Sequence, residues 1–246
     1  MYADFGCPAC YVLSRRADDL IAAGVDVDWR AVEQNPSVAA TGHRLSPAAH
    51  DALSAQFATL TGLLKPAETL PWVMPLVVSN TEAAISAYGE AYGIGVGDDV
   101  RRLLFELYWQ DRSDIGNPAV LRTPLSGPIM RGNSDADPLR ESGYAVSVDR
   151  GPITTGAYRR IRAWRAEWRE LGSPELPLVL AGDTSLTGLD AVRRFGTDIS
   201  DAGVTVNAEL PDARRYARVS GRPPAAWVSQ IGGRWRRLYQ GVGADR

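Results

Sequence analysis

The sequence predicts an α/β fold in which a strand–helix–strand unit and a strand–turn–strand–helix unit flank a large helical insertion. Three observations lead to this prediction. The N-terminus runs from a short apolar segment through two cysteines into a helix. Helical signals then dominate from about Asn35 to Arg122, in an insertion that extends over about residues 35–172. After that insertion a short apolar run, a tight turn and a final helix follow one another.

The N-terminal unit begins with the apolar run Met1–Phe5 and continues into a helix predicted over Tyr11–Ala23. Gly24 is a suitable residue to end this helix. One face of the helix is apolar, and the other carries its charged residues, Arg15, Arg16, Asp18 and Asp19. Val25–Val32 alternates at period two, which predicts a strand. A strand, a helix and a strand in close succession predict a parallel pair with a right-handed crossover.

The insertion is predicted to contain several helices. Ser46 as N-cap and Pro47 at the first position favour a helix over Ala48–Leu64. Thr81–Tyr92 and Asp98–Trp109 have helical periodicity as well.

The segment after these helices predicts less regular structure. Pro118–Leu121 indicates only a short turn, and Pro124–Arg150 is rich in Gly, Pro, Ser and Asp, which predicts a long loop.

A further helix is predicted over Ala157–Leu171, at the end of the insertion. Its apolar stripe is formed by Ile161, Trp164, Trp168 and Leu171. Its arginines, including Arg160, lie mostly off this stripe, and Glu167 and Glu170 interrupt their positive charge. We therefore interpret the basic face as solvated rather than as a nucleic-acid surface.

The C-terminal unit consists of a strand over Leu178–Ala181, a turn at Gly182-Asp183, a return strand over Ser185–Thr187 and a helix over Leu189–Phe195. A βαβ half and a ββα half around an insertion is how a thioredoxin-like sheet is assembled. We therefore predict a thioredoxin-like domain over residues 1–196.

Residues 197–246 are predicted to be a C-terminal extension of unclear role. Within it, Ala226–Ile231 and Arg234–Tyr239 flank Gly232-Gly233, which is typical of a β-hairpin.

Composition excludes several classes of protein. The 246 residues carry a formal net charge of −2, which argues against a general nucleic-acid surface. The sequence has no apolar run long enough to span a membrane, and it has no basic segment followed by an apolar leader. We therefore expect a cytoplasmic protein. The first strand is short for the centre of a sheet, which leaves open that the chain lacks a few preceding residues.

The two cysteines stand three apart, as Cys7-Pro8-Ala9-Cys10, between the first strand and the first helix. Helix amides can stabilise a thiolate at Cys7, and Cys10 is near enough to resolve a mixed disulfide. A structural disulfide here would close only a two-residue gap and would stabilise the chain little. His43 and His50 are seven residues apart, which is unsuited to helical chelation of zinc. We expect redox chemistry and neither a metal nor another cofactor.

The segment Tyr2–Tyr11 resembles the active-site segment of DsbA-like thioredoxin-fold oxidoreductases, especially the FrnE-like cytoplasmic branch. Other parts of the chain are similar to that family's helical insertion, cis-proline strand and closing helix: Asn80–Tyr92, Phe105–Trp109, Asp114–Gly116, Glu175–Leu180 and Gly188–Ala191. The resemblance covers about residues 1–196.

The resemblance implies a cis peptide bond between Leu176 and Pro177 that faces the cysteines. It implies that Cys7 is the exposed attacking sulfur and Cys10 its buried partner. The substrate is then expected to contact Pro8, Ala9, Leu176 and Pro177. The Pro8-Ala9 dipeptide lacks the histidine of the most oxidising relatives, so we expect weaker oxidising power. The substrate is a protein or low-molecular-weight thiol or disulfide.

Two alternatives remain open. Kappa-class glutathione transferases and 2-hydroxychromene-2-carboxylate isomerases share the fold and the insertion, but they have Ser where this chain has Cys7. A cysteine there, together with Cys10, favours disulfide exchange. The other alternative is a non-catalytic, chaperone-like protein on the same scaffold, with the C-terminal hairpin forming a homodimer.

Overall fold

The computed structural model describes residues 1–66, 68–70, 72–133, 135, 137, 144–146 and 152–195. The helices are α1 Pro8–Ala22, α2 Pro47–Thr61, α3 Glu82–Gly93, α4 Gly97–Trp109, α5 Pro118–Arg131, α6 Thr155–Glu170 and α7 Gly188–Arg194. The strands are β1 Tyr2–Ala3, β2 Arg30–Ala31, β3 His43–Arg44, β4 Val77–Val78, β5 Tyr144–Val146, β6 Pro152–Thr154, β7 Leu178–Ala181 and β8 Thr184–Thr187. The predicted C-terminal hairpin lies outside the described residues.

The main sheet joins the two ends of the described chain. Its strand order is β2-β1-β7-β8. Tyr2 pairs with Arg30 in the parallel strand β2 and with Leu178 in the antiparallel strand β7. The parallel pair and the β7–β8 hairpin are those predicted, and the α/β fold class is confirmed. The strand predicted over Val25–Val32 is too long, since β2 spans only Arg30–Ala31 opposite the two residues of β1. Since β1 lies between β2 and β7, the residues that follow β1 emerge beside the residues that precede β7.

Helix α1 begins earlier than predicted, at Pro8 instead of Tyr11. Proline fits the first turn because its missing N–H would have no partner inside the helix. The helix ends at Ala22, and Gly24 follows with a φ of 86°, a left-handed conformation that glycine adopts without strain. Cys7 is consequently the N-cap, directly before the first turn.

The insertion contains the predicted helices and two small ladders that were not predicted. The Ser46 hydroxyl accepts a hydrogen bond from the Ala49 N–H and caps α2. Helices α3 and α4 begin within one residue of their predicted starts. The β3–β4 and β5–β6 pairs span two and three residues per strand, too few for an alternating pattern to be recognised.

The turn predicted at Pro118–Leu121 and the first part of the loop predicted over Pro124–Arg150 are wrong. These residues form a helix, α5, which runs from Pro118 to Arg131. Asn117 caps its first turn by accepting the Ala119 N–H, and Pro118 occupies the first helical position. Pro124 and Pro128 lie inside the helix. Because they are four residues apart, their missing hydrogen bonds fall on one face. The buried side chains of α5, Leu121 and Leu125, hold the helix against the core.

An aromatic core supports the residues just before the cysteines. Phe5 packs against Phe105 and Tyr88, with ring centroids 5.0 and 5.8 Å apart. The Trp109 indole donates a 3.0 Å hydrogen bond to the Phe5 carbonyl. Since Phe5 and Trp109 are fully buried, α3 and α4 fix the position at which the chain enters the Cys7 loop.

Two arginines that were predicted on polar faces are buried. Arg16 is 3% exposed and donates to the carbonyls of Leu63 and Val192. Arg160 is 5% exposed and donates to the Gly89 carbonyl. Long arginine side chains can cross an apolar layer when backbone carbonyls satisfy the guanidinium, which a hydrophobic pattern does not show.

The predicted apolar stripe of α6 is correct at three of its four positions. Ile161, Trp164 and Trp168 are buried. Leu171 follows the end of the helix and is 50% exposed. Among the described residues, no helix has the length and apolar character needed to cross a membrane.

Candidate active site at Cys7 and Cys10

A buried carboxylate organises the loop that precedes the cysteines. Asp4 is 4% exposed. Its carboxylate accepts the N–H of Gly6 at 2.8 Å and that of Gln34 at 2.6 Å, and its carbonyl accepts the N–H of Cys7 at 3.2 Å. Burial raises the pKa of Asp4, and these hydrogen bonds oppose that rise. Asp4 therefore fixes the loop between β1 and α1.

The sulfur of Cys7 lies at the N-terminus of α1. The backbone N–H of Cys10 donates to Cys7 Sγ at 3.3 Å. The first turn of α1 contains no acidic residue. The Cys7 side chain thus takes the capping position and accepts a backbone N–H that has no partner inside the helix.

Cys10 is fully buried one turn further along α1. Burial raises the pKa of its thiol well above the usual range, and the neighbouring Cys7 and the charge of Asp4 add to that rise. A backbone hydrogen bond from Asp4 acts in the opposite direction. Both cysteines are free thiols in the structure.

The turn before β7 lies against the first cysteine. The peptide bond between Leu176 and Pro177 is cis. The carbonyl oxygen of Leu176 is 3.9 Å from Cys7 Sγ. The positions of the two segments follow from the sheet order, in which β1 and β7 are neighbours.

Cys7 is less accessible than predicted. Its exposed fraction is 7%, whereas the sequence predicted an exposed sulfur. The contact with Leu176, itself 2% exposed, contributes to this burial. Pro8 and Ala9 are buried in the first turn of α1.

The described residues contain no group of three or more side chains that could hold a metal ion. His43 and His50 are both exposed and lie on different elements, β3 and α2. Neither joins the cysteines to form a zinc site.

Sequence reasoning missed Asp4, although a signal for it exists. An aspartate between two apolar residues, Ala3 and Phe5, shortly before the cysteines is unusual enough to indicate a buried, hydrogen-bonded carboxylate. The hydrogen bond from Gln34 could not be predicted, because Gln34 is thirty residues away in the sequence.

Comparison with known proteins identifies the architecture. No family model and no curated protein sequence matches the chain. A solved structure of 2-hydroxychromene-2-carboxylate isomerase is similar, with a TM-score of 0.54 and 16% identity over 89% of this chain and 98% of that one. A protein of Nitrosomonas europaea, described as a candidate protein disulfide isomerase, has a TM-score of 0.49 and 14% identity, covering 82% of this chain and 97% of that one.

The chain has a thioredoxin-like fold with a large helical insertion. In this thioredoxin-like fold the two units of the sheet place Cys7 beside Leu176, while the insertion supplies the aromatic core beneath them. At such low identity the similarity establishes the fold alone, so the activity is argued from the site.

Proposed function

We propose that the protein is a thiol–disulfide oxidoreductase whose reacting groups are Cys7 and Cys10. One observation carries the proposal. Cys7 Sγ receives the N–H of Cys10 at the start of α1 and faces the carbonyl of Leu176 at 3.9 Å. A sulfur in this position accepts a backbone hydrogen bond at the start of a helix and has an adjacent backbone group against which a substrate can align.

The exchange proceeds in two steps. The Cys7 thiolate attacks one sulfur of a substrate disulfide, so that a mixed disulfide forms and the other substrate sulfur leaves as a thiolate. Cys10 then loses its proton and attacks Cys7 Sγ, which releases the second substrate thiolate and leaves a Cys7–Cys10 disulfide. Two electrons pass from the protein to the substrate. The reverse sequence oxidises a dithiol substrate.

The backbone next to the sulfur supports a docking site for the substrate chain. We place the substrate against Leu176 and Pro177 on one side and against the first turn of α1, Pro8 and Ala9, on the other. Because Cys7 is only 7% exposed, the approach of a substrate displaces its contact with Leu176.

Cysteine variants test the proposal. We expect Cys7→Ser to reduce the catalysed reduction of insulin by dithiothreitol to background. We expect Cys10→Ser to accumulate a mixed disulfide on Cys7, visible by intact-protein mass spectrometry, because the resolving thiol is missing. Wild-type activity in both variants would refute the proposal. Circular dichroism of each variant controls for loss of the fold.

A second candidate is a transferase or isomerase that acts on a small molecule with a low-molecular-weight thiol. The similarity to 2-hydroxychromene-2-carboxylate isomerase favours it, as does the small exposed fraction of Cys7. Such an enzyme would need Cys7 but not Cys10. Retention of a glutathione-dependent activity in Cys10→Ser, together with no insulin reduction by the wild type, would favour this candidate.

A further inference from the structure

A cavity of about 360 Å³ lies along the later part of α1, beyond the redox site. Its walls come from three parts of the chain: α1, four residues that follow α2 (Leu64, Glu68, Thr69 and Leu70) and Arg102 of α4. This volume is near the lower end of the range for ligand pockets, so a small ligand would fit it. The proposed thiol–disulfide chemistry makes no use of this cavity.

Two acidic residues of the cavity wall already have cationic partners. Glu68 accepts hydrogen bonds from Arg16 at 2.7 and 2.8 Å. Asp18 accepts from Arg101 at 2.6 Å and from Arg102 at 3.4 Å. These charges are mutually neutralised and leave little attraction for a ligand ion.

Arg15 and Asp19 are different. Both line the cavity and both are exposed, and neither side chain forms an ion pair or a hydrogen bond with any residue that the structure describes. They are four residues apart on α1, so they lie on one face with their Cβ atoms about 5–6 Å apart. The cavity therefore offers one guanidinium and one carboxylate that are both available to a ligand.

The remaining wall consists of Thr69 and three apolar residues. Val12, Leu64 and Leu70 line it, and Val12 is 1% exposed. A purely anionic ligand would meet the carboxylate of Asp19, and a purely cationic ligand would meet the guanidinium of Arg15. A ligand that carries both charges close together avoids either repulsion.

We propose that this cavity binds a free α-amino acid with an apolar side chain. Arg15 would bind the α-carboxylate, since a guanidinium can donate two parallel hydrogen bonds to it. Asp19 would accept hydrogen bonds from the α-ammonium group, and the side chain would pack against Val12, Leu64 and Leu70. The proposal does not depend on the redox activity, so either can fail without the other.

L-leucine is the probe for a titration followed by NMR on the methyl groups of Val12 and Leu70 in the full-length protein. We expect saturable shifts with L-leucine and much weaker binding of N-acetyl-L-leucine and L-leucinamide, which lack the ammonium and the carboxylate charge respectively. Absence of saturable shifts with L-leucine at millimolar concentrations would overturn the proposal, and so would equal affinity for all three compounds.

Charge variants locate the two contacts. Arg15→Gln and Asp19→Asn should each weaken L-leucine binding about tenfold, the effect of losing one charge-assisted hydrogen bond. Both residues are exposed, so both variants should keep the fold. Arg162→Gln removes an exposed arginine of α6 outside the cavity and serves as the matched control. Unchanged affinity in Arg15→Gln and Asp19→Asn would refute the assignment.

Discussion

The two ends of α1 are held by different kinds of contact. At its N-terminus, Cys7 Sγ has backbone neighbours: the N–H of Cys10 and the carbonyl of Leu176. The first turn contains no acidic residue. Backbone groups contact the sulfur directly, whereas the nearby carboxylate of Asp4 accepts backbone N–H groups of Gly6 and Gln34.

The later half of the same helix is held by buried charges. Arg101 of α4 is 0% exposed and donates to the carbonyl and hydroxyl of Ser14 at 2.7 and 2.5 Å and to Asp18 at 2.6 Å. Its guanidinium lies 5.2 Å from the centre of the Trp29 ring. The reactive sulfur and the charged contacts that hold the helix therefore lie at different ends of α1. The charged contacts that fix α1 to the insertion are kept away from the reactive sulfur.

The largest expected effect comes from breaking the anchored half. Arg101→Met should lower the free energy of unfolding by about 3–5 kcal/mol, because the variant leaves Asp18 and the Ser14 carbonyl without their buried donor. The measurement is urea denaturation followed by circular dichroism. Exchange activity per folded molecule should stay close to that of the wild type, since the sulfur keeps its own backbone contacts.

A conservative variant separates charge from geometry at this position. Arg101→Lys keeps the charge but cannot donate to Ser14 and Asp18 together. Its free energy of unfolding should therefore lie between that of the wild type and that of Arg101→Met. If both variants were as stable as the wild type, the charged contacts of Arg101 would not anchor α1.

The second prediction concerns the reactive half and its pH dependence. The raised pKa of the Cys10 thiol means that its thiolate fraction is small at neutral pH and increases with pH. The release step, in which Cys10 attacks Cys7 Sγ, should therefore accelerate about tenfold per pH unit as long as the pH stays below that pKa. Stopped-flow measurement of thiol release from a Cys7 mixed disulfide gives this rate.

The control for the pH profile is Cys10→Ser, which should lack the release phase altogether. A release rate that does not change between mildly acidic and mildly alkaline pH would contradict the assignment of Cys10 as the group that must lose a proton.

The reactive end of α1 was largely predictable from the sequence, because its signals are local. Two cysteines three residues apart, placed between an apolar run and a helical pattern, define the site within four consecutive residues, although the helix begins at Pro8 and not at the predicted Tyr11. The runs that form β7 and β8 lie close to their predicted positions, whereas β2 covers only the last part of the predicted strand Val25–Val32. The exposure of Cys7 was predicted incorrectly, since burial depends on Leu176, which is distant in the sequence.

The anchored end was not predictable in the same way. Arg16 looked like part of a polar face, and its partners Leu63, Glu68 and Val192 come from two distant segments. Local sequence patterns show the spacing of apolar residues. They do not show whether a buried guanidinium can donate hydrogen bonds to backbone carbonyl groups. The helix α5 was missed for a related reason, because prolines four residues apart are tolerated once they share one face.

The smallest expected effect tests whether the contribution of these charged contacts to the free energy of unfolding depends on their burial or on the number of charges. Arg102 follows Arg101 and also pairs with Asp18 and Asp99, yet its side chain is 40% exposed. Solvent screens such pairs, so Arg102→Gln should cost less than about 1 kcal/mol of unfolding free energy, against about 3–5 kcal/mol for Arg101→Met. Because screening by salt acts on exposed pairs, the small loss in Arg102→Gln should shrink further in concentrated salt, whereas the loss in Arg101→Met should persist. The free energy of unfolding of both variants is measured by urea denaturation at low and at high salt. Equal losses in the two variants would show that charge count governs this end of α1.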